Sequence, residues 1–148
     1  MYFEDFEPGM SWEVGQAHYD RQEMLDFART YDPEPFHVDE AWSRAGPFGE
    51  IIASGLYTLG KCRYLDQRYF ATLGARGLVA AGLESLKYQG LAYAGDTITV
   101  TKEVMATRVS QSKPDQGLVT FLTRGRNQRN EPLIEFKAVV FYERRPRP

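Results

Sequence analysis

The stretch IIASGLYTLGKCRYLDQRYFATL, residues 51–73, decides the fold of this chain of 148 residues. Its apolar side chains recur mostly three and four residues apart, which is the spacing of one helix face, and it contains no proline. A helix of this length spans about 33 Å, enough to cross a small domain. The sequence therefore predicts one long, largely buried helix over residues 51–73.

Four segments after this helix are predicted strands, because each alternates or runs apolar with β-branched and aromatic residues. They cover residues 78–90, 96–109, 117–128 and 132–144, separated by the turn-like breaks YAGD, SKPDQG and NEP. A further strand is predicted before the helix, at residues 12–19. Consecutive strands with short connections favour antiparallel pairing. The predicted fold is therefore α+β, a single domain over residues 1–148 in which one antiparallel sheet wraps around the long helix.

Two shorter helices are predicted between the first strand and the long helix. Asp20 caps the first of them, and Glu23 three residues later forms a capping box. Asp39 caps the second, which Gly46 ends. Between them lies YDPEPFH, residues 31–37, whose prolines at alternate positions exclude a helix and predict a stiff, irregular loop.

Composition excludes several classes of function. The net charge of -2 and pI near 5.7 leave no basic stripe that would bind nucleic acid. Cys62 is the one cysteine, so an internal disulfide and a cysteine-rich metal site are excluded, and its apolar surroundings predict a buried thiol. The N-terminal residues form no apolar signal-like run and no membrane span is evident, which indicates a cytoplasmic protein. The basic segment ERRPRP, residues 143–148, is interpreted as a solvated tail.

Several motifs in the chain form a pattern. They are Asp32-Pro-Glu-Pro-Phe-His37-Val-Asp39, Pro47-Phe48-Gly49, Ile52-Ala53-Ser54-Gly55 and the Gly95-Asp96 turn. This pattern resembles that of the MaoC-like dehydratases, relatives of the R-specific enoyl-CoA hydratases, over nearly the whole chain. The resemblance implies the hotdog fold, in which the sheet curls around a central helix. Glu34 stands where the family carries asparagine, and Ser54 where it often carries histidine.

The resemblance implies hydration and dehydration of 2-enoyl-CoA thioesters in fatty acid metabolism. Asp32 and His37 are then the catalytic pair, since two titratable groups within reach of one water can remove and return a proton. The Gly55 amide, near the start of the long helix, would polarise the thioester carbonyl, and Ser54 would add a substrate-binding hydroxyl. No metal or redox cofactor is expected, and coenzyme A enters as part of the substrate. A homodimer or higher homo-oligomer is also implied.

Other interpretations stay open. Without the resemblance, Asp32 only ends a helix and His37 is a buried histidine with its hydrogen bonds satisfied. A hotdog acyl-CoA thioesterase would use a carboxylate beside the long helix, and Glu50 stands there. A non-catalytic, acyl-binding hotdog subunit is the third interpretation, since the extra acid Glu34 would disturb the pair.

Overall fold

The computed structural model describes residues 1–146, so the last two residues of the predicted domain and of the basic tail lie outside it. A short 3-10 turn, Phe3–Asp5, precedes the first strand. The helices are α1 (Arg21–Tyr31), α2 (Pro35–Val38), α3 (Glu40–Ala45) and α4 (Gly55–Thr72). The strands are β1 (Ser11–His18), β2 (Gly77–Tyr88), β3 (Thr97–Val109), β4 (Gln116–Arg126) and β5 (Pro132–Glu143).

All five predicted strands form one antiparallel sheet in the order β1-β3-β4-β5-β2, so the α+β class is confirmed. The order differs from chain order at β2, which pairs with β5, with Leu83 opposite Ala138. The connection from β2 to β3 therefore crosses the sheet instead of closing a hairpin. It passes the start of α4, where Ile52 bridges Tyr93, and so holds the helix start against the sheet.

The long helix begins at Gly55, four residues later than predicted. The residues before it are extended, because the Ala53 N–H donates to the carbonyl of Ala92 at 2.8 Å and the Ile52 N–H to that of Phe36 at 3.1 Å. Ser54 then caps the helix by accepting the Leu56 N–H. An apolar period cannot separate extended residues from helical ones when both are buried.

The YDPEPFH segment contains a single helical turn, α2, which corrects the prediction of an irregular loop. Pro35 occupies the first position of that turn, where no backbone N–H is required and the fixed φ of proline is already helical. Glu34 before it is extended. The segment is therefore a rigid corner between α1 and α3.

The Asp20 cap is confirmed, since its carboxylate accepts the Glu23 N–H at 2.9 Å. The reciprocal half of the predicted capping box is wrong. The Glu23 carboxylate accepts instead from the Tyr57 hydroxyl at 2.8 Å and from Lys61 at 2.6 Å. Glu23 therefore joins α1 to α4.

The core lies between α4 and the inner face of the sheet. Cys62 is fully buried there, as predicted, and burial raises the pKa of its thiol to about 12. On β3 the inward positions carry Ile98, Val100 and Val104, with Lys102 among them. A lysine at a core position is unusual and indicates buried charge in this half of the molecule.

In its described part the basic end of the chain is exposed at Arg145 and Pro146, as predicted, but ion pairs hold it against the start of the chain. Arg144 pairs with Glu4 at 2.9 Å, and Arg145 pairs with Asp5. Residues 147–148 of that predicted tail are outside the described part. Within residues 1–146, no helix is both long and apolar enough to cross a membrane.

Strand β2 is exposed along its whole length, although it carries several large apolar side chains. Val79 is 61% exposed and Leu83 44%. Because β2 pairs with β5 on one side only, its other edge is open. An open apolar edge strand is a surface on which another strand can pair.

Candidate active site

Asp32 and His37 are brought together by the corner between α1 and α3. Asp32 ends α1, with φ -155° and ψ 65°, and His37 lies in the single turn of α2. The Glu34 N–H donates to the Asp32 carbonyl at 2.9 Å, and the His37 N–H donates to the Glu34 carbonyl at 2.8 Å. These two backbone bonds hold Asp32 Oδ2 at 3.4 Å from His37 Nε2.

The buried His37 ring is oriented by a backbone carbonyl. Its Nδ1 lies 2.8 Å from the Ile52 oxygen. A carbonyl only accepts hydrogen bonds, so Nδ1 must carry the hydrogen, and in the neutral ring Nε2 then has a free lone pair. That lone pair is on the side of the ring that lies beside Asp32.

The facing atoms of the pair are therefore two acceptors when the imidazole is neutral and Asp32 is ionised. A 3.4 Å separation of two acceptors is not a hydrogen bond without a proton between them. A water molecule satisfies both, because it can donate one hydrogen to the carboxylate and the other to Nε2. Its oxygen lone pairs then remain available for reaction.

Ser54 lies behind the carboxylate. Its hydroxyl donates to Asp32 Oδ2 at 2.7 Å and accepts the Leu56 N–H at 3.1 Å. The residue is 1% exposed, and both interactions are with the protein. Ser54 was predicted to bind substrate, whereas in the fold its hydroxyl is placed to orient Asp32.

Gly55 is the first residue of α4, so its N–H has no partner within the helix. The ring of Tyr88 lies directly against it, since a Cβ on Gly55 would be 2.6 Å from the tyrosine Cε1. Only glycine leaves room for that ring at the helix start. Desolvation, and then the nearby Asp32 carboxylate, raise the pKa of Tyr88, which keeps its phenol protonated.

Asp32, His37 and Gly55 line one open cleft of about 360 Å³. Its remaining walls are mostly apolar: Ile52, Ala53, Leu56, Tyr88, Leu91, Ala92 and Leu133. Thr58 adds a hydroxyl, which accepts a hydrogen bond of 2.9 Å from Tyr19. The cleft therefore combines a proton-transfer pair and a free helix amide with an apolar surface.

Glu34 and Glu50, the acids on which the non-catalytic and thioesterase interpretations rest, lie outside this cleft. Glu34 is exposed and does not line this cleft, and among residues 1–146 its carboxylate forms no ion pair. Glu50 lines a separate hollow with Arg21 and Arg44. Neither carboxylate is placed to act on a group bound between Asp32 and Gly55.

The remaining motif residues are structural. The Asp39 carboxylate accepts the Trp42 N–H at 2.9 Å and so caps α3, as predicted. Gly95 has φ +91°, and Asp96 accepts the Tyr93 N–H to close the turn.

His18 is exposed at the end of β1. In the described part of the chain, no three His, Cys, Asp or Glu side chains come together as metal ligands.

Sequence reasoning missed Tyr88, Thr58 and the carbonyl of Ile52. Tyr88 ends an edge strand far from the motifs, and its approach to Gly55 follows from the crossing of β2 to β5. The Ile52 carbonyl carries no side-chain signal at all. A glycine at the start of a helix is the one sign that another group approaches closely there.

The chain is similar to known proteins in sequence and in structure. The family model described as "MaoC like domain" matches residues 5–123. A 3-hydroxybutyryl-CoA dehydratase of Methylorubrum extorquens is 33% identical over 109 residues, which are 70% of this chain and 64% of that protein. The chain therefore spans slightly less than two thirds of this relative's length.

Solved structures show the same architecture. A MaoC-like dehydratase from Rhodospirillum rubrum superposes with a TM-score of 0.86 at 31% identity, covering 99% of both chains. A conserved hypothetical protein of Mycobacterium tuberculosis with a double hotdog fold superposes with a TM-score of 0.81 at 14% identity, covering all of this chain and 46% of that one. The predicted hotdog fold is thereby confirmed.

Proposed function

The chain belongs to the MaoC-like domain family of hydratases and dehydratases, and we propose that it adds water reversibly to the double bond of a 2-enoyl-CoA thioester. The observation that carries this proposal is the pair formed by Asp32 Oδ2 and His37 Nε2, 3.4 Å apart in the same cleft as the free amide of Gly55. Hydration needs a group that activates water, a group that returns a proton, and a group that polarises the thioester. The proposal is supported by the presence of residues suited to each of these roles, Asp32, His37 and Gly55, in one mostly apolar cleft.

Asp32 and His37 hold the nucleophilic water between them. The water oxygen attacks the β-carbon of the enoyl group while the pair takes one of its protons. Electrons move into the thioester carbonyl and give an enolate. The pair then returns one proton to the α-carbon, so the elements of water add across the double bond on one face. The reverse sequence dehydrates a 3-hydroxyacyl thioester.

The Gly55 N–H binds the thioester oxygen. As the first amide of α4, it points out of the helix and carries the partial positive charge of the helix N-terminus. Negative charge grows on that oxygen as the enolate forms, so the amide stabilises the transition state more than the substrate. A donor of this kind is worth about 3 kcal/mol in other enzymes.

One assay separates hydration from thioester cleavage. The purified protein is given crotonyl-CoA, and loss of the enoyl absorbance is followed beside release of free thiol. Absorbance loss without thiol supports the proposal. Thiol release, or no reaction with enoyl-CoA thioesters of any chain length, contradicts it.

Variants test the assignment of the pair. Asp32→Asn and His37→Ala should each reduce hydration by at least about a hundredfold, the usual worth of a proton-transfer group. Glu50→Gln tests the thioesterase interpretation and should leave the rate unchanged, because Glu50 lies outside the cleft. Full activity in both Asp32→Asn and His37→Ala would show that the site is elsewhere.

We also propose that the protein is a homodimer in which the open edge of β2 pairs with β2 of a second copy. The exposed apolar side chains of this strand support the proposal, because pairing would remove them from water. Tyr88 ends this strand and lines the cleft, so the contact would lie beside the site. The absence of a cofactor and a place in cytoplasmic fatty acid metabolism remain predictions.

A further inference from the structure

A second cavity, of about 170 Å³, lies towards the other end of α4 from the proposed active site. Asp66, on its wall, follows Gly55 by eleven residues, which is about 16 Å along a helix. The cavity opens between the C-terminal half of α4 and the beginning of β2. The proposed hydration chemistry uses none of its residues.

Three charged side chains form one cluster on this wall. Lys102 Nζ donates to Asp66 Oδ1 at 2.5 Å, and Arg63 Nη1 donates to Asp66 Oδ2 at 2.6 Å. Lys102 is 2% exposed, and its ammonium also lies over the rings of Phe70 and Phe121, at 4.7 and 4.0 Å from their centroids. The single carboxylate is thus shared by two cations, and the cluster has a formal charge of +1.

Tyr142 lines the same cavity. Tyr142 is 4% exposed, and its ring lies against Gly77, its partner on the neighbouring strand β2, where a Cβ would be 3.8 Å from the tyrosine oxygen. Within residues 1–146 this hydroxyl forms no hydrogen bond, and because no fully buried side-chain oxygen in this part of the chain lacks a partner, the oxygen is open to solvent in the cavity. Its donor is therefore available to a molecule in the cavity.

Apart from Gln67, the other side chains of the wall are apolar: Phe70, Ala71, Ala75, Leu78, Val79, Ala80 and Val140. The cavity thus has a positively charged, donor-rich end and an apolar remainder. A cation would be repelled by Arg63 and Lys102. A phosphate dianion would exceed the single positive charge and would leave the apolar wall without a partner.

We propose that this cavity binds the carboxylate of a short aliphatic acid. The carboxylate lies against Arg63 and accepts from the Tyr142 hydroxyl, and the alkyl part lies along the wall that β2 contributes. One negative charge then neutralises the cluster. The ligand is either a free carboxylate or the terminal carboxylate of a longer acyl thioester, since the two share this chemistry.

Titration with sodium butyrate, followed by amide NMR, tests the proposal without reference to activity. The amide signals of Gly77 and Ala80 should shift in a saturable way. Butyramide has the same shape without the charge and should shift them at least tenfold more weakly. Equal effects of butyrate and butyramide, or shifts that do not saturate, would overturn the proposal.

Two variants and a matched control assign the contacts. Tyr142→Phe removes only the hydroxyl and should raise the Kd for butyrate about tenfold, the worth of a hydrogen bond to a charged group. Arg63→Gln should raise it at least as much. Arg68 is on the same helix but outside the cavity, so Arg68→Gln should leave the Kd unchanged. Wild-type Kd values in both Tyr142→Phe and Arg63→Gln would also contradict the proposal.

A kinetic comparison separates the two sources of the carboxylate and rests on the proposed function. The substrates are trans-2-dodecenedioyl-CoA, whose extended chain covers a distance comparable to that between Gly55 and Asp66, and trans-2-dodecenoyl-CoA, which lacks the terminal carboxylate. If the ligand is an acyl substrate, Arg63→Gln raises KM about tenfold for the first and not for the second. If it is a free carboxylate, Arg63→Gln alters neither KM. Inactivity of the wild type towards both would count against the proposed function, while the butyrate titration would still decide this proposal.

Discussion

The Ser54 hydroxyl donates to Asp32 Oδ2 at 2.7 Å and accepts the Leu56 N–H at 3.1 Å, so a single side chain connects the start of α4 to the carboxylate of the proposed site. Gly55, whose amide is proposed to bind the thioester oxygen, is the next residue along the chain. The group that would polarise the thioester and the group that would hold the water are therefore fixed to each other through one helix cap.

Ser54→Ala should affect both stability and catalysis. Loss of the cap should lower the free energy of unfolding by about 1 kcal/mol. Loss of the hydrogen bond to Asp32 should lower kcat about tenfold at nearly constant KM, since the carboxylate becomes free to turn. Kinetics with crotonyl-CoA and denaturant unfolding measure the two effects.

Asp20→Ala is the matched control, because it removes a cap of the same kind at the start of α1, away from the cleft. It should cost a similar free energy of unfolding and leave kcat unchanged. Ser54→Thr keeps a hydroxyl and should recover most of kcat. Equal kcat values for Ser54→Ala and Asp20→Ala would show that Ser54 does not position Asp32 for catalysis.

Gly55→Ala should be far more damaging than Gly60→Ala, although both lie in α4. A Cβ on Gly55 would come within 2.6 Å of the Tyr88 ring, whereas one on Gly60 meets nothing within 4 Å. The first should cost about 1–3 kcal/mol and most of the activity, and the second should stabilise the helix by about 0.5–1 kcal/mol. Thermal unfolding and crotonyl-CoA kinetics check this. Identical behaviour of the two variants would mean that Tyr88 moves aside freely.

Glu23→Gln should reduce stability at neutral pH and have no effect in acid. Hydrogen bonds from Lys61 and then Tyr57 lower the pKa of Glu23 below its usual 4.5. Such a carboxylate stabilises the fold above its unfolded pKa, and this contribution is lost as pH falls through the lower folded pKa. Because the Glu23 side chain is 59% exposed, the difference at pH 7 should stay below about 1 kcal/mol.

Urea unfolding of wild type and Glu23→Gln between pH 7 and pH 3 measures that difference. The two curves of stability against pH should converge below pH 4.5. Glu50→Gln serves as control, because Glu50 forms no ion pair in the described part of the chain, and it should follow wild type throughout. A gap that persists unchanged to pH 3 would rule out the ionised carboxylate as its source.

Val79→Lys should dissociate the proposed dimer. Val79 is 61% exposed on the open strand, so the substitution costs an isolated chain little and places like charges together across a paired edge. Sedimentation analysis should show monomer where wild type shows dimer. Val109→Lys, at an exposed end of β3, is the control and should remain dimeric. A monomeric wild type at micromolar concentration contradicts the proposal.

The sequence predicted the elements better than their arrangement. Periodicity located α4 and the strands β1, β3, β4 and β5, which carry buried side chains, whereas β2 is exposed along its length and was located by its composition of apolar and aromatic residues. It placed the start of α4 at residue 51, since Ile52 and Ala53 are buried in an extended segment and look the same in an apolar pattern. The pairing of β2 with β5 could not be predicted either, because it depends on the chain crossing the sheet between β2 and β3, and no local sequence pattern indicates such a crossing.

The residues of the candidate site were predicted from the sequence, but their contacts were not. The motif identified Asp32, His37 and Gly55, which line one cleft. The motif did not predict that the Ile52 carbonyl selects the histidine tautomer, nor that Lys102 is buried. The lysine was visible in the alternating stretch of β3 as a charge at an inward position, where a solvated side chain is the usual interpretation for lysine.

The contact between Tyr88 and Gly55 joins the start of α4, where substitutions are costly, to the edge strand β2, where substitutions cost little stability. Asp32, His37 and Gly55 are fixed by helix ends and backbone hydrogen bonds, whereas Tyr88 is 51% exposed on the outermost strand. Substitutions at exposed edge positions cost little stability. Single substitutions of Tyr88 can therefore reshape this wall of the cleft at little cost to the stability of the isolated chain, while Asp32, His37 and Gly55 stay in place.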